Sequence, residues 1–234
     1  MARDLRSFRY MTFDVVGTLI DFEGGLVASL RAIGDRAGRA VDGEEALSLY
    51  RKARYTPDAD RFPDDLVRVY GAIAPALGLP EGREHGEALR QGVRGWAAFP
   101  DSAEALARLA RRYRLVAMTN AQRWAFEGFA ETLGQPFHAA FTVDDTGVEK
   151  PDPAFFERVF AFVEGEGHSR DDILHVAQSQ YHDIGVSRQL GLTNCWIERR
   201  HDREGYGGTI EPGAFTRPDY HFTSMAALAD AAEA

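Results

Sequence analysis

Tyr10-Met11-Thr12-Phe13-Asp14-Val15-Val16-Gly17-Thr18-Leu19 opens with a short, mostly apolar run, reaches a carboxylate, and turns at a glycine. A strand covered on both faces reads as such a continuous apolar run rather than as an alternation. The stretch therefore predicts a buried strand closing at Asp14, with Gly17 freeing the backbone to turn beside it. Four later segments have the same character: Arg114 to Met118, Ala139 to Val143, Ile173 to Ala177, and Cys195 to Ile197. Helical spacing lies between them. Ser102 to Arg112 puts Ala103, Leu106, Leu109 and Ala110 on one face, and Pro153 to Val163 does the same with Phe155, Phe156, Val159 and Phe160. Strands alternating with helices imply an α/β fold, a doubly wound (Rossmann-like) parallel sheet with right-handed crossovers.

The stretch after this first strand differs. Between Gly25 and Ala98 the spacing predicts helices over Leu26 to Ala37, Glu44 to Tyr55, Asp65 to Leu77 and Glu84 to Trp96, with no strand. Gly38, Pro57, Pro63 and Pro80 punctuate them. The expected organisation is an α/β core from residues 1–22 and 99–234, with residues 23–98 inserted as a helical cap. A separate helical domain with no part in the site is the alternative.

Bulk properties narrow the function. The 234 residues carry a formal net charge of -9, which disfavours nucleic acid and anionic membranes as partners. A local pocket can still be positive. One cysteine, Cys195, excludes an intramolecular disulfide framework and fits a reducing cytoplasm. Its apolar neighbours read as a buried strand. Charges interrupt every apolar run, so neither a signal peptide nor a membrane span is expected.

Ligands of open parallel sheets bind beyond the carboxyl ends of the strands. Those ends here carry Asp14, Thr119-Asn120 and Gln178 through Asp183, with Lys150 in the loop beyond the third strand. Taken singly, an Asp after a strand is an ordinary turn residue and a Thr-Asn pair an ordinary cap. Taken together they bring two carboxylates, a hydroxyl, an amide and an ammonium to one edge of the sheet.

Phe13-Asp14-Val15-Val16-Gly17-Thr18-Leu19 resembles the first motif of the haloacid dehalogenase superfamily. Thr119-Asn120 resembles the second, Lys150-Pro151 the third, and Gln178-Ser179-Gln180-Tyr181-His182-Asp183 the fourth. The resemblance implies that Asp14 attacks an electrophile to form an ester that water then hydrolyses. It groups Thr18, Lys150 and Asp183 with Asp14 as catalytic, Lys150 offsetting the negative charge. It gives Thr119, Asn120 and the backbone near Val15 to a small anionic carboxylate substrate, with Gln178, Gln180 and His182 as further binding candidates.

Two departures bear on the subclass. Phosphatases of the superfamily carry a second Asp two positions after the nucleophile, where this chain has Val16, and an acidic residue where it has Gln178. Neither residue supports magnesium or a proton transfer, so no metal and no cofactor are expected; magnesium belongs only to the phosphatase alternative. The pattern is instead similar to the L-2-haloacid dehalogenase branch, in which a halide leaves carbon 2 without a proton. Dimers are common in that branch, so the resemblance implies a homodimer. Arg51 resembles the cap arginine that meets the departing halide there, and also reads as a solvent-facing helix residue.

A further likeness covers His175 to Asp183, Trp196 to His201, and Glu204 to Gly207, which look like the subgroup containing L-azetidine-2-carboxylate hydrolase. It widens the leaving group to a ring amine, with His182 either the proton donor or simply packed. Tyr181, Trp196, Tyr206, Phe13 and Trp124 are aromatics that either line a dry pocket or fill the core.

Overall fold

The computed structural model describes residues 3–234. Strands β1 (Tyr10–Asp14), β2 (Arg114–Thr119), β3 (Ala139–Thr142), β4 (Ile173–Ala177), β5 (Thr193–Ile197) and β6 (Tyr220–Phe222) form one sheet in the order β3-β2-β1-β4-β5-β6. Every neighbouring pair is parallel. β1 and β4 are buried along their whole length, as strands covered on both faces must be. The strand order reverses on either side of β1, which makes its carboxyl end the crevice of the sheet. Register sets Asp14 beside Met118, and Phe13 beside Val176.

The first four helices, α1 (Phe22–Arg36), α2 (Gly43–Arg54), α3 (Leu66–Ile73) and α4 (Arg83–Gly92), lie between β1 and α5 (Ser102–Leu109). Then follow α6 (Arg123–Thr132), α7 (Val143–Thr146), α8 (Pro153–Gly165), α9 (Gly185–Gln189) and α10 (Met225–Glu233). The chain leaves and rejoins the sheet layer through two paired segments. Asp21 N–H donates to the Ala97 carbonyl at 2.8 Å, and Phe99 N–H to the Leu19 carbonyl at 2.9 Å. One apolar cluster runs through this stalk, joining Phe13, Val15 and Leu19 to Phe22, Leu26 and Trp96.

Helix α1 starts four residues before the expected Leu26. Gly25 lies against Trp96, where an added Cβ would stand 2.4 Å from the indole, so the glycine is there for closeness rather than as a break. Helix α3 stops at Ile73, short of the expected Leu77, with Pro75 just beyond its end. The sixth strand was not expected. It is three residues long, and only pairing with β5 identifies it.

Among the described residues no helix is long and apolar enough to cross a membrane.

Candidate active site

Asp14 ends β1 almost fully buried, with both carboxylate oxygens engaged. Lys150 Nζ donates to Oδ1 at 2.9 Å and Thr18 Oγ1 to Oδ2 at 2.5 Å. Gly17, at φ +93°, makes the turn that brings Thr18 back over the carboxylate. The Thr18 hydroxyl in turn accepts the Gln178 backbone N–H at 2.8 Å, tying the ends of β1 and β4 together.

Lys150 arrives from the loop after α7. Asn120 fixes that loop: its Nδ2 donates to the Lys150 carbonyl at 2.9 Å, and its Oδ1 accepts the Lys150 N–H at 2.7 Å. An ammonium has three donors. Lys150 uses them on Asp14 Oδ1, the Met118 carbonyl at 3.0 Å and Asp183 Oδ1 at 2.6 Å. The charge is thus held in one place between two carboxylates.

Asp183 sits in a single π-helical turn, Gln180–Ile184, fully buried. Such turns recur at functional sites because they re-aim a side chain. Its Oδ1 also meets His175 Nε2 at 3.1 Å, and His175 Nδ1 meets Thr12 Oγ1 at 2.8 Å. Its Oδ2 is buried without a protein partner.

Burial and charge divide the two carboxylates. Burial pushes Asp14 up, Lys150 pulls it down and Asp183 pushes it up again, leaving it above its ordinary value. Burial also opposes ionisation of Asp183, but Lys150 and His175 outweigh it and hold the group down at about 2. Burial works against the Lys150 ammonium too, yet the two carboxylates keep its pKa raised. Asp183 is thus the more acidic and Asp14 the more basic of the pair.

A cavity of about 90 Å³ lies over Asp14. Thr119, Asn120, Lys150, Gln178, His182 and Asp183 all reach its wall, as does Val16. Thr119 Oγ1 accepts the Ala121 N–H at 3.1 Å and keeps its own proton to donate. Val15 is fully buried in the core and does not line the cavity. His182 is half-buried, between Ser179 Oγ at 3.0 Å and the Tyr55 hydroxyl at 3.3 Å. Burial drops its pKa to about 4, with the cations Lys150 and Arg54 adding to this and Asp183 opposing it.

Arg51 and Gln180 also lie away from the cavity. Arg51 donates to the Gly207 carbonyl at 2.8 Å and does not line the cavity. Arg54, one turn further along α2, does. It is buried and meets both oxygens of Glu149 at 3.0 Å. Helical spacing explains the error: residues three apart share a face, and only the tertiary position of α2 decides which one reaches the site. Gln180 points away from Asp14. Its Oε1 accepts the Thr216 N–H at 3.0 Å, and it lines a different cavity.

Sequence reasoning missed the rest of the wall: Phe22, Tyr50, Tyr55, Phe62, Ala121, Glu149 and the pair Gly208-Thr209. None of Tyr181, Trp196, Tyr206, Phe13 and Trp124 takes part. Cys195 is fully buried in β5, as its neighbours implied, and burial pushes its thiol up.

The donors fit magnesium poorly. A hard dication wants several free oxygens in an octahedral set. Asp14 and Asp183 are bridged by Lys150, and Gln178 supplies only a neutral amide. No cluster of three or more His, Cys, Asp or Glu side chains among the described residues is arranged to hold a metal ion.

Comparison with known proteins agrees with this architecture. No curated protein sequence matches the chain. Its fold is similar to that of the L-2-haloacid dehalogenase PA0810, at 20% identity and a TM-score of 0.77, covering 95% of this chain and 97% of that one. It is similar to the L-2-haloacid dehalogenase of Xanthobacter autotrophicus with chloropropionic acid covalently bound, at 19% identity and TM-score 0.73, covering 95% and 97%. It is also similar to the magnesium-bound putative hydrolase YfnB of Bacillus subtilis, at 17% identity and TM-score 0.76, covering 97% and 99%. At such identities the likeness establishes the fold. The family model for haloacid dehalogenase-like hydrolases matches residues 8–176, which takes in β1 with Asp14, Thr119-Asn120 and Lys150. The chain therefore belongs to the haloacid dehalogenase-like hydrolases.

Proposed function

We propose that this hydrolase acts at carbon 2 of a small 2-substituted carboxylic acid, without metal, through an ester on Asp14. The observation that carries the reading is the setting of Asp14. It is a buried, cavity-facing carboxylate beside one fixed ammonium, with apolar Val16 where a proton donor would stand. An Asp14 oxygen attacks carbon 2. The new C–O bond forms as the bond to the leaving group breaks, and the leaving group departs with the electron pair. Water then attacks Cγ of Asp14, the ester C–O bond cleaves at Cγ, and a 2-hydroxy acid leaves with Asp14 restored. The Thr119 hydroxyl and the second Asn120 amide hydrogen are donors for the substrate carboxylate. The unpartnered Oδ2 of Asp183 is the acceptor that would orient the water.

One observation favours a second leaving group. Three carboxylates (Asp14, Asp183, Glu149) and two cations (Lys150, Arg54) face the same small cavity, and Glu149 already neutralises Arg54. That balance suits a substrate carrying a cation better than a purely anionic haloacid. A protonated strained-ring amine supplies one. Its nitrogen departs as a neutral amine, keeping its own protons, so neutral His182 is no obstacle. A homodimer and a cytoplasmic location belong to the same proposal.

The test is release from L-2-chloropropionate, azetidine-2-carboxylate and p-nitrophenyl phosphate, each with and without chelator. Chelator-insensitive hydrolysis of either carboxylate is expected. Phosphate release alone, abolished by chelator, would overturn the reading.

A further inference from the structure

Gln178 and Thr209 stand in the walls of three cavities: the 90 Å³ cavity over Asp14, a polar one of about 100 Å³ beside Asp21 and Glu23, and a crevice of about 260 Å³ that alone of the three is lined by Trp196 and Phe215. The crevice lies beyond the ends of β4 and β5. The loop from Glu198 to Phe215 bounds it, and the Asp14 chemistry makes no use of it.

Its surface has two components. The first is aromatic: Trp196, Tyr206, Ile210 and Phe215 line it. The Trp196 indole is fixed by donating to the Gln178 carbonyl at 2.7 Å. Phe215 meets it edge-on at 5.6 Å and is 60% exposed, by far the most exposed large hydrophobic among the described residues. The second is polar. Arg199 and Arg200 are spent on Asp101 and on Glu23 and Glu44. Arg203, more than half exposed, has its nearest carboxylate 4.0 Å away. Buried Gln180 contributes an Nε2 with no partner.

We propose that this crevice is a second compartment of the active site, and that it takes the aryl group of a substrate whose carbon 2 lies over Asp14. The 90 Å³ cavity has the scale of a few waters, enough for the reacting carbon and its carboxylate and little more. An acid with an aryl group on carbon 3 passes between Gln178 and Thr209 and packs against Phe215 and against Trp196, one face of which is already stacked on His221 at 4.6 Å. Covering Phe215 in this way removes its exposed surface from water. The inference rests on hydrolysis at carbon 2 and not on the nature of the leaving group.

Two measurements test it. The first needs no turnover: calorimetric binding of the unreactive acids 3-phenylpropionate and propionate. The aryl acid is expected to bind about tenfold tighter, and Phe215→Ala to erase most of that difference. Equal binding of the two acids, or an unchanged ratio in Phe215→Ala, overturns the second compartment. The second is the ratio of kcat/KM for 2-chloro-3-phenylpropionate over 2-chloropropionate. The ratio is expected above one, and Ile210→Trp, which fills the crevice, is expected to lower it at least tenfold. Turnover of the short acid with no gain for the aryl acid overturns the crevice and leaves the Asp14 reading standing. Tight aryl binding with no turnover of either chloro acid or of azetidine-2-carboxylate overturns the Asp14 reading instead.

Discussion

On the sheet side of the cavity, Lys150 spends all three of its donors on Asp14, Asp183 and Met118, and both carboxylates are buried. On the side of the inserted helices (the cap side), buried Arg54 meets Glu149, whose side chain is still 32% exposed, and Gly208 and Thr209 close the wall from a loop. The two sides are built for different tasks. A charge network whose members have one geometry each is pre-organised, which is what a nucleophile needs. A wall of one ion pair, several aromatics and a loop can be rebuilt without disturbing that network, which is what a change of substrate needs. On the proposed mechanism, chemistry belongs to the sheet edge, and selectivity to the inserted helices and the loop.

Substitutions on the sheet side should be the most costly. Asp14→Asn is expected to lower kcat by roughly four orders of magnitude while circular dichroism and unfolding midpoint stay near wild type; retained turnover would break the division at once. Lys150→Met leaves two buried carboxylates without their cation. Removing one partner of a buried pair costs about 3–5 kcal/mol, readable from urea unfolding. In any folded fraction the acid limb of kcat/KM, already above the ordinary carboxylate range because burial raises Asp14, moves to higher pH.

The cap side should respond in selectivity instead. Glu149→Gln is expected to lower kcat/KM for a ring-ammonium acid about tenfold relative to a haloacid, the size of one lost charge-assisted contact. Equal effects on both substrates would assign Glu149 to holding Arg54 alone. His182 separates the two sides through pH. Its folded pKa of about 4 lies below the ordinary 6.5, so its contribution to stability is present above pH 6.5 and is lost as pH falls toward 4. His182→Gln should therefore lose less stability than wild type between pH 7 and 5, measured as urea midpoints. Arg51→Ala is the smallest case, costing about 1 kcal/mol from its bond to Gly207 and moving kcat/KM less than tenfold. An arginine that met the leaving group would cost far more.

The same division governed what the sequence disclosed. Asp14, Lys150, Thr119 and Asp183 end or follow buried strands, and a parallel sheet brings strand ends to one edge whatever the loops do. The cap side has no such rule. Arg51 and Arg54 are equally plausible on α2 until the packing of that helix is known. Glu149 reads as a loop residue, and its partner lies 95 positions away in the chain. Gly208 and Thr209 reach the cavity because Gly207 packs against Glu23 and Arg200, a contact no local pattern encodes.

The covalent role of Asp14 can be tested in a single turnover in oxygen-18 water with enzyme in excess over substrate. Mass spectrometry of the Asp14 peptide should then find the label in its carboxylate, with the first product unlabelled, because water attacks Cγ of the ester. Label in the first product with none in Asp14 would mean that water attacks carbon 2 directly, and the nucleophile assigned here would be wrong.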